Sequence, residues 1–103
     1  MLNRFIVNGV KNDSAQSGSI SSAQIRAARA LLNLEQETLA ESAHVSRQTL
    51  ISIEAAARDQ LDPRRQKSME KIKRALEANY GIEFLSEAGT KGEGVRLKYK
   101  AKR

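Results

Sequence analysis

The chain contains no cysteine and no tryptophan, one proline, one histidine, two phenylalanines and two tyrosines. Without cysteine there is neither a disulfide framework nor a thiolate metal site. The lone histidine, His44, has no second histidine and no cysteine to join it as a metal ligand. The sequence has no GxxxxGK[ST] phosphate loop and no GxGxxG dinucleotide turn. Its acidic residues are scattered at the spacing of solvated helix surfaces. These absences argue against an enzyme and against any metal or cofactor. No apolar run approaches the ~18–20 residues of a membrane span, and the first residues lack the apolar stretch of a secretion signal. A cytoplasmic protein with no membrane association is therefore expected. With so few aromatic side chains, the core should be small and the stability modest.

What is abundant is positive charge. Eighteen basic residues face twelve acidic ones, a formal net charge of +6. Such a balance favours an anionic partner such as nucleic acid. The excess is unevenly placed. Residues 21–61 hold four basic and five acidic residues, whereas 62–81 and 82–103 each hold six basic and three acidic. Any grip on a polyanion by charge alone must come from the later segments.

The pattern divides the chain into four parts. Residues 1–20 read as a flexible tail, since Asn, Ser, Gly, Asp and Gln dominate positions 12–19. Phe5-Ile6-Val7 inside it is either a stray β-strand or a few apolar residues in a disordered segment. Residues 21–81 read as four helices. Ser21-x-x-Gln24 is a capping-box signature that opens the first, from Ser22 to about Asn33, with Ile25, Ala28 and Leu32 along its inner face. The second follows Leu34 and runs to about Ala43; the third runs from Arg47 to about Ala56. After a loop at 57–61, Asp62-Pro63 supplies an N-cap and an N1 proline for the fourth, and Gly81 ends it. Residues 82–99 switch to strict alternation. Ile82 and Phe84 share one face, as do Val95, Leu97 and Tyr99, and Gly89, Gly92 and Gly94 lie between. This predicts a β-hairpin with a long glycine-rich loop. Residues 100–103 form a basic tail. The expected fold is thus mostly α: a four-helix repressor-like helix-turn-helix domain followed by a C-terminal β-hairpin.

The stretch Gln36–Glu54, QETLAESAHVSRQTLISIE, carries the function. It predicts two short helices joined by a tight turn. Leu39, Ala40 and Ala43 line the inner face of the first, and Leu50 and Ile53 that of the second. His44 and Val45 form the turn, and Ser46 is a good N-cap. Small Ala40 suits a close crossing of the two helices. Taken whole, Gln36-x-x-Leu39-Ala40 … Val45-Ser46-Arg47-x-x-Leu50-x-x-Ile53-Glu54 resembles the Cro and phage-repressor-like (XRE-type) helix-turn-helix family, and the similarity extends from about Ser21 to Tyr80. There are two departures: His44 stands where the family usually has Gly, and Glu35 where it usually has Ser or Thr.

The residues themselves suggest DNA contact by Arg47, Gln48, Thr49 and Ser52, side-chain types that bond base edges and phosphates. The resemblance implies more. The positions of Gln48, Thr49 and Ser52 contact base edges, and that of Arg47 contacts bases or phosphate. Ser46 belongs to the same contact set, and Gln36 would reach a phosphate from its helix N-terminus. The loop after the third helix runs beside the DNA backbone, which adds Arg58, Arg64 and Arg65. Arg64 and Arg65 sit where positive charge opposes a helix dipole, a local cost that points to phosphate contact; the alternative is a solubilising basic helix end. Arg29 and Glu54 would form a partly buried structural ion pair. Ile51 fits neither face simply; it could touch a thymine methyl or a protein, or be a singly exposed apolar residue.

The expected function is a sequence-specific transcriptional regulator, a repressor-type protein reading double-stranded DNA with its third helix. The hairpin is a candidate element for a homodimer or for a protein partner. Two rivals keep the fold: an antitoxin holding a toxin, and a protein-interaction module that binds another transcription factor without touching DNA.

Overall fold

The computed structural model describes residues 20–56 and 62–99. Residues 1–19 of the expected N-terminal tail, the tail 100–103 and the loop 57–61 with Arg58 lie outside the described residues; Ile20, expected in the tail, is buried in the core. Four helices, α1 (Ser22–Leu32), α2 (Gln36–Ala43), α3 (Arg47–Ala55) and α4 (Pro63–Tyr80), are followed by strands β1 (Ile82–Leu85) and β2 (Gly94–Leu97).

Each helix starts and stops for a local reason. Ser21 opens α1 with a complete capping box: its hydroxyl accepts from the Gln24 amide N–H at 3.1 Å, and the Gln24 side chain accepts from the Ser21 N–H at 2.9 Å. Ser46 caps α3 through the Thr49 N–H, and Asp62 caps α4 through the Arg65 N–H, with Pro63 at N1. Glu35 precedes α2 without a side-chain cap. The first two helices end alike. Asn33 (φ 53°) and His44 (φ 60°) take the left-handed conformation. The next N–H then reaches back, Leu34 to the Arg29 carbonyl and Val45 to the Ala40 carbonyl. Leu34 and Val45, the residues just past these turns, pack against the core.

The core is aliphatic. Ile25, Leu39, Leu50, Ile53, Ile72 and Leu76 are fully buried, and all four helices contribute to them. Ala28, Ala40, Ala43 and Ala75 are buried among them, small side chains that let helix backbones approach. Ser42 Oγ and Tyr80 Oη meet at 2.7 Å to join α2 to α4.

The hairpin lies across α1 and α4. Its register pairs Ile82 with Leu97 and Phe84 with Val95 on the inner face, and Glu83 with Arg96 on the outer. Ile82 is buried; Phe84, Val95 and Leu97 are half-buried against the helical core. A two-stranded hairpin is marginal alone, and this packing stabilises it. The connection is not a loose glycine-rich loop. Ala88 and Lys91 exchange both main-chain hydrogen bonds, at 3.0 and 2.9 Å, around Gly89-Thr90. Gly89 has φ 61° and Thr90 has none of that sign, the pattern of a two-residue type II′ turn. The ladder also stops short of Tyr99, which is 74% exposed. The register would pair Tyr99 with Tyr80, and Tyr80 is the last residue of α4. The final closing bond runs from the Lys98 N–H to the Gly81 carbonyl at 2.7 Å.

Candidate nucleic-acid interface

α3 is capped locally at its start and tied to α1 at its end. At its start, Ser46 Oγ accepts the Thr49 N–H at 3.0 Å and donates to Thr49 Oγ1 at 2.8 Å. The Thr49 hydroxyl is therefore an engaged acceptor that still carries a proton to donate. At its end, the Ile53 carbonyl accepts from Ser22 Oγ at 2.6 Å and the Glu54 carbonyl accepts from the Arg26 guanidinium. Two of the last carbonyls of α3 are thus satisfied by α1, which fixes the axis of α3 against the domain.

Glu54 also anchors the turn region. It is 5% exposed, and Arg29 meets it in fork geometry, Nε to Oε2 at 2.7 Å and Nη2 to Oε1 at 2.9 Å. Gln36 Nε2 donates to the same Oε1 at 2.9 Å, and Arg29 Nη1 donates to the Leu34 carbonyl at 3.0 Å. One carboxylate thereby ties α1, α2 and α3 together. One N–H of the Gln36 amide is committed to this cluster, and α2 also offers an anion main-chain N–H groups that no side chain caps.

On the outer face of α3, Arg47 and Gln48 are exposed and Thr49, Ile51 and Ser52 are half-buried. Arg47, Gln48 and Ser52 make no side-chain hydrogen bond among the described residues. Beside Arg47 is an open depression lined by Arg29, Glu35, Gln36, Glu37 and Arg47. Arg29 is already paired with Glu54, and Glu35 and Glu37 share the depression with Arg47. α4 adds further free cations. Arg64, Lys67 and Lys71 are exposed and form no ion pair among the described residues, and Arg65 is half-buried. Arg74 and Lys73 on the same helix are paired with Glu70 and Glu77. Among the described residues, no group of three His, Cys, Asp or Glu side chains could hold a metal ion, and no helix is long and apolar enough to cross a membrane.

Residues 25–78, just over half the chain, match the family model described as Helix-turn-helix. The chain belongs to this family. Neither a curated protein nor a solved structure matches it. The family is that of Cro-type, XRE-class DNA-binding regulators, and it is not enzymatic. The chain is accordingly a DNA-binding helix-turn-helix protein of the regulatory class.

Sequence reasoning missed one positioning residue. The residue type and spacing of Gln24 announce only a capping-box partner. Its Nε2 also donates to the Leu85 carbonyl at 3.1 Å and the Gly94 carbonyl at 2.9 Å, one from each strand of the hairpin. Alongside it, Ser21 Oγ donates to Glu93 at 2.6 Å. The partners are 61 to 72 positions away in sequence, so no local pattern carries this signal.

Proposed function

We propose that the protein is a cytoplasmic transcriptional repressor that reads an operator in the major groove with α3. The observation that carries this is the division of labour on that helix. Leu50 and Ile53 are wholly buried, the start of α3 is capped by Ser46, and its end is bonded to α1. Arg47, Gln48 and Ser52 stand outward with their hydrogen-bonding groups uncommitted. Gln48 is suited to a bidentate bond with adenine and Arg47 to guanine or phosphate; the Thr49 proton suits a base or phosphate acceptor. Arg64, with Lys67 beyond it, supplies phosphate contacts, so affinity should fall steeply with salt. Occupying an operator blocks transcription without any further surface, which makes repression the simplest output. A homodimer fits two half-sites about 34–36 Å apart, and each hairpin strand keeps one edge without a strand partner among the described residues, which a second copy could pair with across a two-fold axis.

A second reading has its own support. The near-neutral helix-turn-helix and the Glu35/Glu37 pair beside Arg47 suit a module that binds another protein. Selection from a pool of randomised duplexes with the full chain, followed by gel shift on the enriched duplex and on the promoter of its own gene, separates the two. Enrichment of one motif with salt-sensitive binding supports operator reading. No enrichment, with no shift even at low salt, would favour a protein partner.

A further inference from the structure

Ile51 is the large apolar side chain on the outward face of α3. Arg47, Gln48, Ile51 and Ser52 follow one another there at the spacing of a single helix face. Ile51 is half-buried, yet it is neither in the core cluster nor among the partly buried apolar side chains that pack against it, such as Leu34 and Val45. Leu50 and Ile53 are the side chains of this stretch that are fully buried in the core. Among the described residues the core therefore does not use Ile51, and α3 carries it beside Arg47, Gln48 and Ser52.

We propose that Ile51 is a specificity-determining residue that packs on the C5-methyl of a thymine in the operator. This rests on the reading of α3 as the operator-reading helix. In the major groove the thymine methyl is the one apolar feature among hydrogen-bonding base edges. Ile has no donor or acceptor. Opposite any other edge it would strip water from a polar group and return nothing. Opposite the methyl it buries apolar surface on both sides. The position can also be placed. Gln48 precedes Ile51 by three residues, so their Cβ atoms lie about 5–6 Å apart. Base pairs along the duplex are about 3.4 Å apart. The thymine therefore sits within about two base pairs of the base that Gln48 reads.

The test uses the full chain and a duplex enriched by selection. Each thymine is replaced in turn by uracil, which removes the methyl and leaves every hydrogen-bonding group in place. The expected result is one position per half-site where uracil weakens wild-type binding about fourfold, the worth of one buried methyl-sized group. In Ile51→Ala the same replacement should cost nothing further, because the partner of the methyl is gone. Ile51→Val, a smaller change at a half-exposed site, gives the same coupling reading should the alanine variant unfold, with a reduced uracil penalty. Uracil tolerated at every thymine would overturn the proposal, as would an equal penalty in wild type and Ile51→Ala. Ile51→Ala binding as tightly as wild type, on a site that Gln48→Ala no longer recognises, would also overturn it and leave Ile51 to a protein contact. Failure to enrich any duplex would bring down the reading of α3 itself, a separate result.

Discussion

Gln24→Glu is the most informative single change to the scaffold, because it is nearly isosteric and reverses one function of the side chain while keeping another. The retained oxygen still accepts the Ser21 N–H, so the capping box persists. What changes is the nitrogen. Two donated hydrogen bonds, to the Leu85 and Gly94 carbonyls, are replaced by an anionic oxygen facing both carbonyl oxygens. Each lost bond is worth about 0.5–1.5 kcal/mol net. The unpaired oxygen at a site only 5% exposed costs about 1–3 kcal/mol more. The sum is about 2–6 kcal/mol, a large part of the about 5–15 kcal/mol typical of a domain. The introduced carboxyl should be protonated more readily in the folded state than in the unfolded chain, since its neutral form can donate to one carbonyl. Its folded-state pKa is then raised. The penalty is smallest below the unfolded pKa of about 4.3 and grows as the pH rises through and above it. Urea unfolding followed by circular dichroism at pH 4 and pH 7 measures both terms. Hydrogen exchange at Phe84 and Val95 reports whether the hairpin opens first. Stability within about 0.5 kcal/mol of wild type at pH 7, the scatter of neutral surface changes, would refute the claim that this amide ties the hairpin to α1.

Arg29→Met keeps the aliphatic stem and leaves Glu54 buried with only Gln36 as a side-chain donor. It should cost about 2–4 kcal/mol by denaturant unfolding, somewhat below the usual loss for a fully buried pair because Arg29 is 23% exposed. His44→Gly removes a Cβ from a residue at φ 60° and should raise stability by about 0.5–1 kcal/mol, part of it offset by greater unfolded-state entropy, with DNA binding unchanged; a fall in stability would show that His44 makes a contact the turn needs. The Glu83 carboxyl is held below its ordinary pKa, first by the hydrogen bond from Arg96 and then by the charges of Arg96 and Lys98. Its contribution is present above the unfolded pKa of Glu and lost as the pH falls through the lowered folded value. Glu83→Gln should flatten that part of the stability profile below pH 5, and an unchanged profile would remove the pair from the account.

The sequence and the structure agree wherever the determinants are local. Ser21, Ser46 and Asp62 each carry a cap that their residue type announces, and the apolar spacing of α1 to α4 matches the buried set of Ile25, Leu39, Leu50, Ile53, Ile72 and Leu76. Alternation at Ile82, Phe84, Val95 and Leu97 identified the hairpin and its inner face. It could not give the type II′ turn at Gly89-Thr90, because three nearby glycines suit a loop and a turn equally well. Nor could it show that Tyr99 falls outside the ladder, since that depends on where α4 ends in space. The candidate interface was legible as residue types, not as commitments. Gln36 looks free until Glu54 is found beside it, and Glu35 and Glu37 look like ordinary surface charges until α3 brings Arg47 next to them.

The central claim is that Gln48 on α3 reads a base. The direct measurement is the ratio of affinity for the selected duplex to that for a scrambled duplex at one fixed salt concentration, for wild type and Gln48→Ala. Loss of a bidentate base contact is worth about 1–3 kcal/mol of discrimination, so the ratio should fall by about 5- to 150-fold while affinity for the scrambled duplex and the salt slope stay as they were. An unchanged ratio in a folded variant would contradict the account, because the reading element would then lie elsewhere on the molecule.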